Sequence, residues 1–175
     1  MKNTYLPTGW QEVKLGDTTK ILAGGTPSTK NKEYWNGNIS WLTSGELNNK
    51  FIYETKLKIT KKGLEHSNTR LIPIESVLIG LAGQGKTRGT VAINYIELCT
   101  NQSIASILPN DYFIQKFLYY QLDMRYKELR SLSYGDGGRG GLNLKILNNL
   151  IVKVPPLEEQ KRIAEILSLC DEVIE

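Results

Sequence analysis

The chain has 175 residues, of which 40% are hydrophobic, and this is enough for one compact domain with a real core and argues against wholesale disorder. Its net charge of +4 and isoelectric point near 9.0 are compatible with a polyanionic partner, but they are also common in ordinary cytosolic proteins. Cys99 and Cys170 lie far apart in sequence and His66 is the single histidine, so the composition argues against both zinc sites and disulfide frameworks.

The beginning of the sequence lacks the apolar stretch of a signal peptide, and no run of about 18 apolar residues is long enough to span a membrane. We therefore expect a soluble, cytoplasmic protein without a membrane partner.

Short β-prone runs dominate the first two thirds of the chain. They are separated by clusters of glycine, proline, asparagine and serine, which are typical of turns. Two of the connecting loops, 23–30 and 81–89, are rich in glycine. The predicted strands are 11–15, 39–43, 57–60, 76–81, 90–93 and 104–108.

The pattern becomes helical after the last of these strands. Asp111 is a candidate cap for a helix over 113–129, where apolar residues recur at helical spacing. A third glycine-rich stretch, 135–141, precedes a predicted short helix at 144–150 and a short strand at 151–154.

The C-terminal segment is predicted to be an amphipathic helix. Pro155 and Pro156 suit its start, because a residue in the first helical turn needs no N–H donor. Apolar residues then recur at coiled-coil-like spacing and predict an interface with another subunit. The residues of this stripe are Ile163, Ile166, Leu167, Cys170, Val173 and Ile174.

A phosphate-loop pattern, GxxxxGK[ST], occurs at 80–87 in the sequence GLAGQGKT. A phosphate site also needs a helix that begins at Lys86 and Thr87 and points its dipole at the anion. Residues 88–93 instead contain glycine and β-branched residues typical of a strand, and no later apolar strand ends in an aspartate that could hold magnesium. A nucleotide hydrolase is therefore the weakest alternative.

Basic and polar loop residues are the candidates for contact with nucleic acid. Lysine and arginine neutralise phosphates, and arginine can bind a guanine edge with two hydrogen bonds. The alternatives are a tight basic hairpin with solvated charges for the 81–89 loop and a flexible connector for the 135–141 stretch, and both stay open. The candidates are Thr26, Ser28, Lys30, Lys32, Trp35, Ser44, Lys86, Thr87, Arg88 and Arg139.

Trp35 and three further side chains allow two interpretations or a purely structural one. Trp35 is more often a packing residue than a base contact, and Trp41, in an apolar run, is predicted to lie in the core. The amides of Asn101 and Gln102 could bind adenine or could close a turn. No catalytic constellation is recognisable in the sequence.

Nine motifs follow one another along nearly the whole chain: LPTGW (6–10), KLGD (14–17), GGTPS (24–28), YW (34–35), ISWLTSGEL (39–47), LAGQGKTRGTVAI (81–93), TNQSIASI (100–107), GGRGGLNLKIL (137–147) and VPPLEEQKRIAEIL (154–167). In this order and spacing they resemble the target recognition domain of type I restriction-modification specificity subunits, followed by the start of that family's conserved helix.

The resemblance implies an α/β (α+β) fold with a twisted, mostly β target recognition domain at 1–154 that reads one DNA half-site. Residues 155–175 would begin a coiled-coil-like helix for dimerisation or methyltransferase docking. The implied partners are double-stranded DNA, the methyltransferase subunit, indirectly the restriction subunit, and a second copy of the chain. The implied subunit is not an enzyme and needs no cofactor, because S-adenosylmethionine, ATP and magnesium belong to its partners.

The chain departs from the family pattern in having one recognition domain and one short helix, where typical members have two of each. We therefore expect a half-subunit, a truncated gene product or an engineered fragment. A half-subunit would pair with itself and read a palindromic, interrupted site. The alternative is a truncated decoy that binds the methyltransferase without directing it.

Overall fold

Three β-sheets form the body of the protein in a computed structural model that describes residues 6–83, 85–132 and 141–174. Together with short helices they give the mixed α+β architecture that was expected. Within the described residues the strands are β1 (Gln11–Lys14), β2 (Ile21–Ala23), β3 (Trp35–Leu42), β4 (Phe51–Ile52), β5 (Leu57–Ile59), β6 (Val77–Gly80), β7 (Val91–Asn94), β8 (Cys99–Thr100), β9 (Ile104–Ile107) and β10 (Ile151–Val154).

The central sheet has five strands in the order β2-β9-β6-β7-β4, antiparallel except for the β4–β7 pair. Its inner strands are buried on both faces, which explains their continuous apolar sequences. Val77 and Ile79 pack into the larger hydrophobic core, whereas Leu78 between them points to a second core that also contains Leu42 and Leu47. Alternate residues of one strand thus hold the two cores together.

Two smaller sheets flank the central one. In one, β3 lies between β5 and β8. Trp41, Ile59 and Cys99 form a third hydrophobic cluster there. Burial raises the pKa of the Cys99 thiol to about 11. In the other, β1 pairs antiparallel with β10 and so joins the beginning of the chain to its last third.

The helices are short except for the last. A 3-10 turn lies at Lys32–Tyr34 and a second at Ser44–Asn49. The α-helices of the described residues are α1 (Leu15–Thr18), α2 (Lys61–Glu65), α3 (Gln115–Asp123), α4 (Tyr126–Leu132), α5 (Leu144–Asn148) and α6 (Leu157–Ile174).

The predicted single helix over 113–129 is wrong, because α3 and α4 divide this segment and Asp111 caps neither. The side-chain oxygen of Asn110 accepts hydrogen bonds from the amides of Tyr112 and Phe113, and this turn keeps the segment before α3 out of the helix. Ile114, the residue before α3, has its partner in α6, since Oε1 of Gln160 accepts a hydrogen bond from the Ile114 amide at 2.9 Å.

Candidate nucleic-acid interface

One end of the central sheet brings together loops that are far apart in sequence. The register places four residues in one row across four neighbouring strands: Ala23, Ala105, Ile79 and Val91. Because neighbouring strands run in opposite directions, the segments 24–31 and 81–90 and the turn 101–103 all leave the sheet at this end. We call it the loop end.

Backbone hydrogen bonds tie the three segments of the loop end to one another. The Gly25 amide donates to the carbonyl of Thr100 at 2.9 Å, and the Leu81 amide donates to the carbonyl of Ser103 at 2.8 Å. The Asn101 amide donates to the carbonyl of Leu42 at 3.0 Å. The loop end is therefore one hydrogen-bonded unit and not three independent loops.

Trp35 and Trp41 hold the segment 24–31, the first loop of the loop end, against the body of the protein. The indole N–H of Trp41, a buried residue as predicted, donates to the carbonyl of Gly25 at 3.0 Å. The indole N–H of Trp35 donates to the carbonyl of Ser28 at 3.2 Å, and its ring meets that of Trp41 edge-on with centroids 5.0 Å apart. Trp35 thus has a packing role in this loop, while part of its surface stays accessible.

The candidate contact residues differ in exposure, and Lys32 and Ser44 lie in 3-10 turns outside the loop end. Thr26, Ser28, Lys30, Lys32 and Lys86 are exposed, whereas Thr87, Arg88 and Ser44 are half-buried. Ser44 begins the 3-10 turn that packs on β6 and β7. Arg139 lies outside the described residues.

The segment 80–90 is a hairpin loop and lacks the geometry of a phosphate site. Apart from Gln84, which the structure does not describe, its residues are non-helical and lead into β7. Gly80 allows a close approach within the hairpin, since a Cβ there would lie 2.2 Å from the Thr87 carbonyl oxygen. Glycine at this position of the motif is therefore explained by hairpin closure and not by a bound phosphate.

Two side chains of helix α4 support the backbone of the hairpin, a contact that no sequence pattern predicted. The Tyr126 hydroxyl donates to the carbonyl of Lys86 at 3.1 Å. The Arg130 guanidinium donates to the carbonyl of Gly85 at 2.5 Å and to that of Arg88 at 3.3 Å, and it lies over the Tyr126 ring. The i, i+4 spacing of the two side chains is the only local signal, and it says nothing about their target.

Carboxylates near the loop end are engaged within the protein. Glu46 is buried and accepts hydrogen bonds from the Thr43 amide and hydroxyl and from the Lys56 amide. Glu33, next to Lys32, is paired with Lys62, whose hydrogen bond and charge lower the pKa of the Glu33 carboxyl. The charge of Glu33 is thus balanced locally by Lys62.

Two kinds of site find no support among the residues that the structure describes. In that part of the chain no group of histidine, cysteine, aspartate or glutamate side chains is arranged to hold a metal ion. No helix in the same part is long and apolar enough to cross a membrane.

Helix α6 packs one face against α3. Gln160 and Ala164 are buried in this contact, and the side-chain amide of Gln160 donates to the carbonyls of Pro155 and Tyr112. The Tyr120 hydroxyl donates to the Asp171 carboxylate at 2.6 Å, and desolvation, followed by this hydrogen bond, raises the pKa of Tyr120 to about 12.

The predicted apolar stripe of α6 is divided between two directions. Ile163 and Leu167 are half-buried and line a largely apolar groove of about 510 Å³ formed with α3, α4 and β10. Ile166, Cys170 and Val173 face outward with Leu169, which the sequence interpretation had not included. We call these four residues the outer face of α6; the Ile174 side chain lies outside the described residues.

Comparison with known proteins gives a match over nearly the whole chain. Residues 7–175 match the family described as type I restriction modification DNA specificity domain. The MjaIX specificity subunit of a Methanocaldococcus jannaschii type I restriction enzyme is 34% identical over 97% of this chain and 40% of its own length. The EcoR124I/EcoR124II specificity subunit of Escherichia coli is 29% identical over 90% of this chain and 40% of its own length. The chain thus spans about two fifths of these relatives.

Solved structures share the fold at lower sequence identity. A chain from a study of complex assembly and conformational transition in a type I R-M system has a TM-score of 0.79 at 20% identity, covering 99% of this chain and 41% of that one. The HsdS subunit of Thermoanaerobacter tengcongensis has a TM-score of 0.76 at 21% identity, covering 99% and 40%.

Proposed function

The chain belongs to the family of type I restriction-modification DNA specificity domains, and on this premise we propose that it reads one half of a bipartite DNA site and directs methyltransferase and restriction subunits to it. In this role it is the recognition component of an enzyme complex and performs no catalysis itself. Cofactors such as S-adenosylmethionine, ATP and magnesium would be bound by its partners.

The observation that carries this proposal is the convergence of the loops at one end of the central sheet. Flexible cationic side chains such as Lys30, Lys32 and Lys86 suit phosphate contacts, which position a protein on the duplex. The rigid turn 101–103 among them offers polar groups to base edges, which carry the sequence information. A surface with both features supports specific recognition of DNA and not simple charge attraction.

Methylome sequencing tests the role in directing modification. In a host that carries this chain and a type I methyltransferase subunit, we expect adenine methylation at one interrupted sequence motif. A host without the chain is the control. If the chain binds the methyltransferase but no motif becomes methylated, it acts as a decoy and the directing role is refuted.

We expect the isolated chain to bind duplex DNA weakly and with marked salt dependence. Lys30, Lys32, Lys86 and Arg88, with the candidate Arg139, would make about three to five phosphate contacts, which correspond to a log–log slope of affinity against salt of roughly −3 to −5. Fluorescence anisotropy at several salt concentrations measures this slope. A slope near zero would contradict the assignment of these loops to the DNA interface.

We further propose that the outer face of α6 docks another chain, either a methyltransferase subunit or a second copy. Ile166 and Leu169 are each 61% exposed and Val173 is 86% exposed, so a row of apolar side chains along the helix faces solvent. Such a row on an α6 that is already anchored to the body supports a helix-to-protein contact.

Glutamate in this row is expected to disrupt the contact. Ile166→Glu and Val173→Glu each place a charge in the proposed seam, at a cost of several kcal/mol unless the charge finds a partner. Ile74→Glu is the matched control, since Ile74 is 55% exposed and lies on the loop before β6, outside α6. Sedimentation over a concentration series measures self-association, and a pull-down measures methyltransferase capture. If the wild type stays monomeric and a variant that carries both Ile166→Glu and Val173→Glu still captures methyltransferase, α6 is only a support of the domain.

A further inference from the structure

The turn 101–103 exposes one side chain at its tip, and hydrogen bonds hold the backbone of the turn in place. Its backbone is held by the Asn101 and Leu81 amides described above and by a hydrogen bond from the Ile104 amide to the Asn101 carbonyl at 3.2 Å. The Asn101 side-chain oxygen accepts a hydrogen bond from the Ser103 amide at 3.0 Å. Asn101 therefore closes the turn, and the exposed residue at its tip is Gln102.

The orientation of the Gln102 amide is set by the neighbouring loop. The Thr26 hydroxyl donates to Oε1 of Gln102 at 2.5 Å. Thr26 follows Gly25, which is held by Thr100 and Trp41, so both partners of this hydrogen bond stand on anchored backbone. Among the hydrogen bonds of the described residues, Nε2 of Gln102 has no acceptor, and the residue is exposed.

We propose that Gln102 reads an adenine in the DNA half-site and that Thr26 is its positioning residue. Because Oε1 is bonded to Thr26 and the residue is exposed, Nε2 is left as a donor for N7 of a purine in the major groove. The second lone pair of Oε1 remains available to accept the exocyclic N6–H of adenine, which guanine lacks. This inference rests on the proposed function and assigns one base contact within it.

The Gln102 side chain needs little further ordering when it binds DNA. A glutamine side chain ordinarily loses rotamer freedom when it binds, and here the hydrogen bond from Thr26 restricts it in advance. Lys30 and Lys86, whose side chains have no such hydrogen bond among the residues that the structure describes, suit phosphate contacts that do not depend on the base.

Selection from a random duplex library tests the assignment. The preferred half-site of the wild type is first determined, and the full chain is then compared with Gln102→Ala, Gln102→Glu and, as matched control, Gln11→Ala on β1. We expect Gln102→Ala to lose roughly tenfold to a hundredfold affinity for the preferred duplex and to lose its preference at one adenine position only. Gln102→Glu is expected to favour cytosine there, because a carboxylate accepts from the cytosine N4 amino group.

A modified base tests the proposed contact between Nε2 of Gln102 and N7 of adenine. With 7-deazaadenine at the selected position, the wild type is expected to bind roughly tenfold more weakly, whereas Gln102→Ala should be unaffected because the contact to N7 is already lost. Thr26→Val should weaken the adenine preference at the same position, and Thr26→Ser, which keeps the hydroxyl, should restore it. A merely structural role of Thr26 would lower binding to all sequences alike.

The outcomes separate this assignment from the proposed function. If Gln102→Ala selects the same half-site as the wild type, or binds all sequences equally more weakly, the assignment is overturned while DNA reading stands. If the wild type selects no sequence at all, both the proposed function and the assignment are overturned.

Discussion

Gly25→Ala is expected to destabilise the protein by about 3 kcal/mol. A Cβ at this position would lie 2.5 Å from the Thr69 amide nitrogen and 2.7 Å from the Asn68 carbonyl carbon, and both are backbone atoms that cannot move aside like a flexible side chain. Overpacking of this kind costs about 1–3 kcal/mol. The shift of the loop would also break the hydrogen bond from Trp41 to Gly25, which adds about 1 kcal/mol.

The matched control for this change is Gly45→Ala. A Cβ at Gly45 meets no atom within 4 Å, and the residue is exposed in the 3-10 turn at Ser44–Asn49. Its effect on the free energy of unfolding should stay within about 0.5 kcal/mol. Urea unfolding followed by tryptophan fluorescence compares the two variants. Equal stability of Gly25→Ala and the wild type would show that the first loop is not locked against the body.

Lys86→Ala/Arg88→Ala is expected to weaken DNA binding by about 30-fold at 0.15 M salt. Each neutralised phosphate contributes about 0.9 to the log–log salt slope, so the loss of two contacts also reduces the slope by about 2. Anisotropy titrations at several salt concentrations measure both quantities. Thermal unfolding checks that the hairpin, which Tyr126 and Arg130 hold through its backbone, is intact.

The matched control is Lys161→Ala/Arg162→Ala, which removes the same two charge types from exposed positions of α6. An equal loss of affinity in this variant would mean that net charge, and not the position of the hairpin, governs binding.

The Lys86→Ala variant also tests whether the hairpin binds a nucleotide, and we expect no ATP binding by the wild type. If calorimetry detected ATP binding that Lys86→Ala abolishes, the exclusion of a phosphate site would be refuted.

Local sequence patterns predicted the strands that are buried on both faces. The inner strands β6, β7 and β9 are buried on both faces, and their apolar runs were recognisable for this reason. By contrast, β4 and β8 have two residues each, too few for any period to be visible. Before α3, the turn at Asn110 is local, but the partner of the Ile114 amide is Gln160, 46 positions away, which no local pattern could show.

The candidate site was predicted as a set of residue types and not as a place. Glycine-rich loops with cations indicated Lys86 and Thr26, but their common location follows from the register of β2, β9, β6 and β7, which is a property of the whole sheet. The stripe of α6 shows the same limit. Its spacing was visible in the sequence, but which members pack on the body depends on α3 and on the groove, which only the folded chain defines.

The pairing of β1 with β10 affects how the protein is made. Trp10 donates a hydrogen bond to Glu159, 149 positions later, beside this pair of strands. At about 5–20 residues per second, a ribosome needs roughly 7 to 30 seconds to synthesise that interval. During this time β1 has no partner strand, and an unpaired strand invites aggregation. Its sequence, Gln-Glu-Val-Lys, carries two charges and one apolar residue. The nascent chain therefore exposes no aggregation-prone segment here before β10 is synthesised.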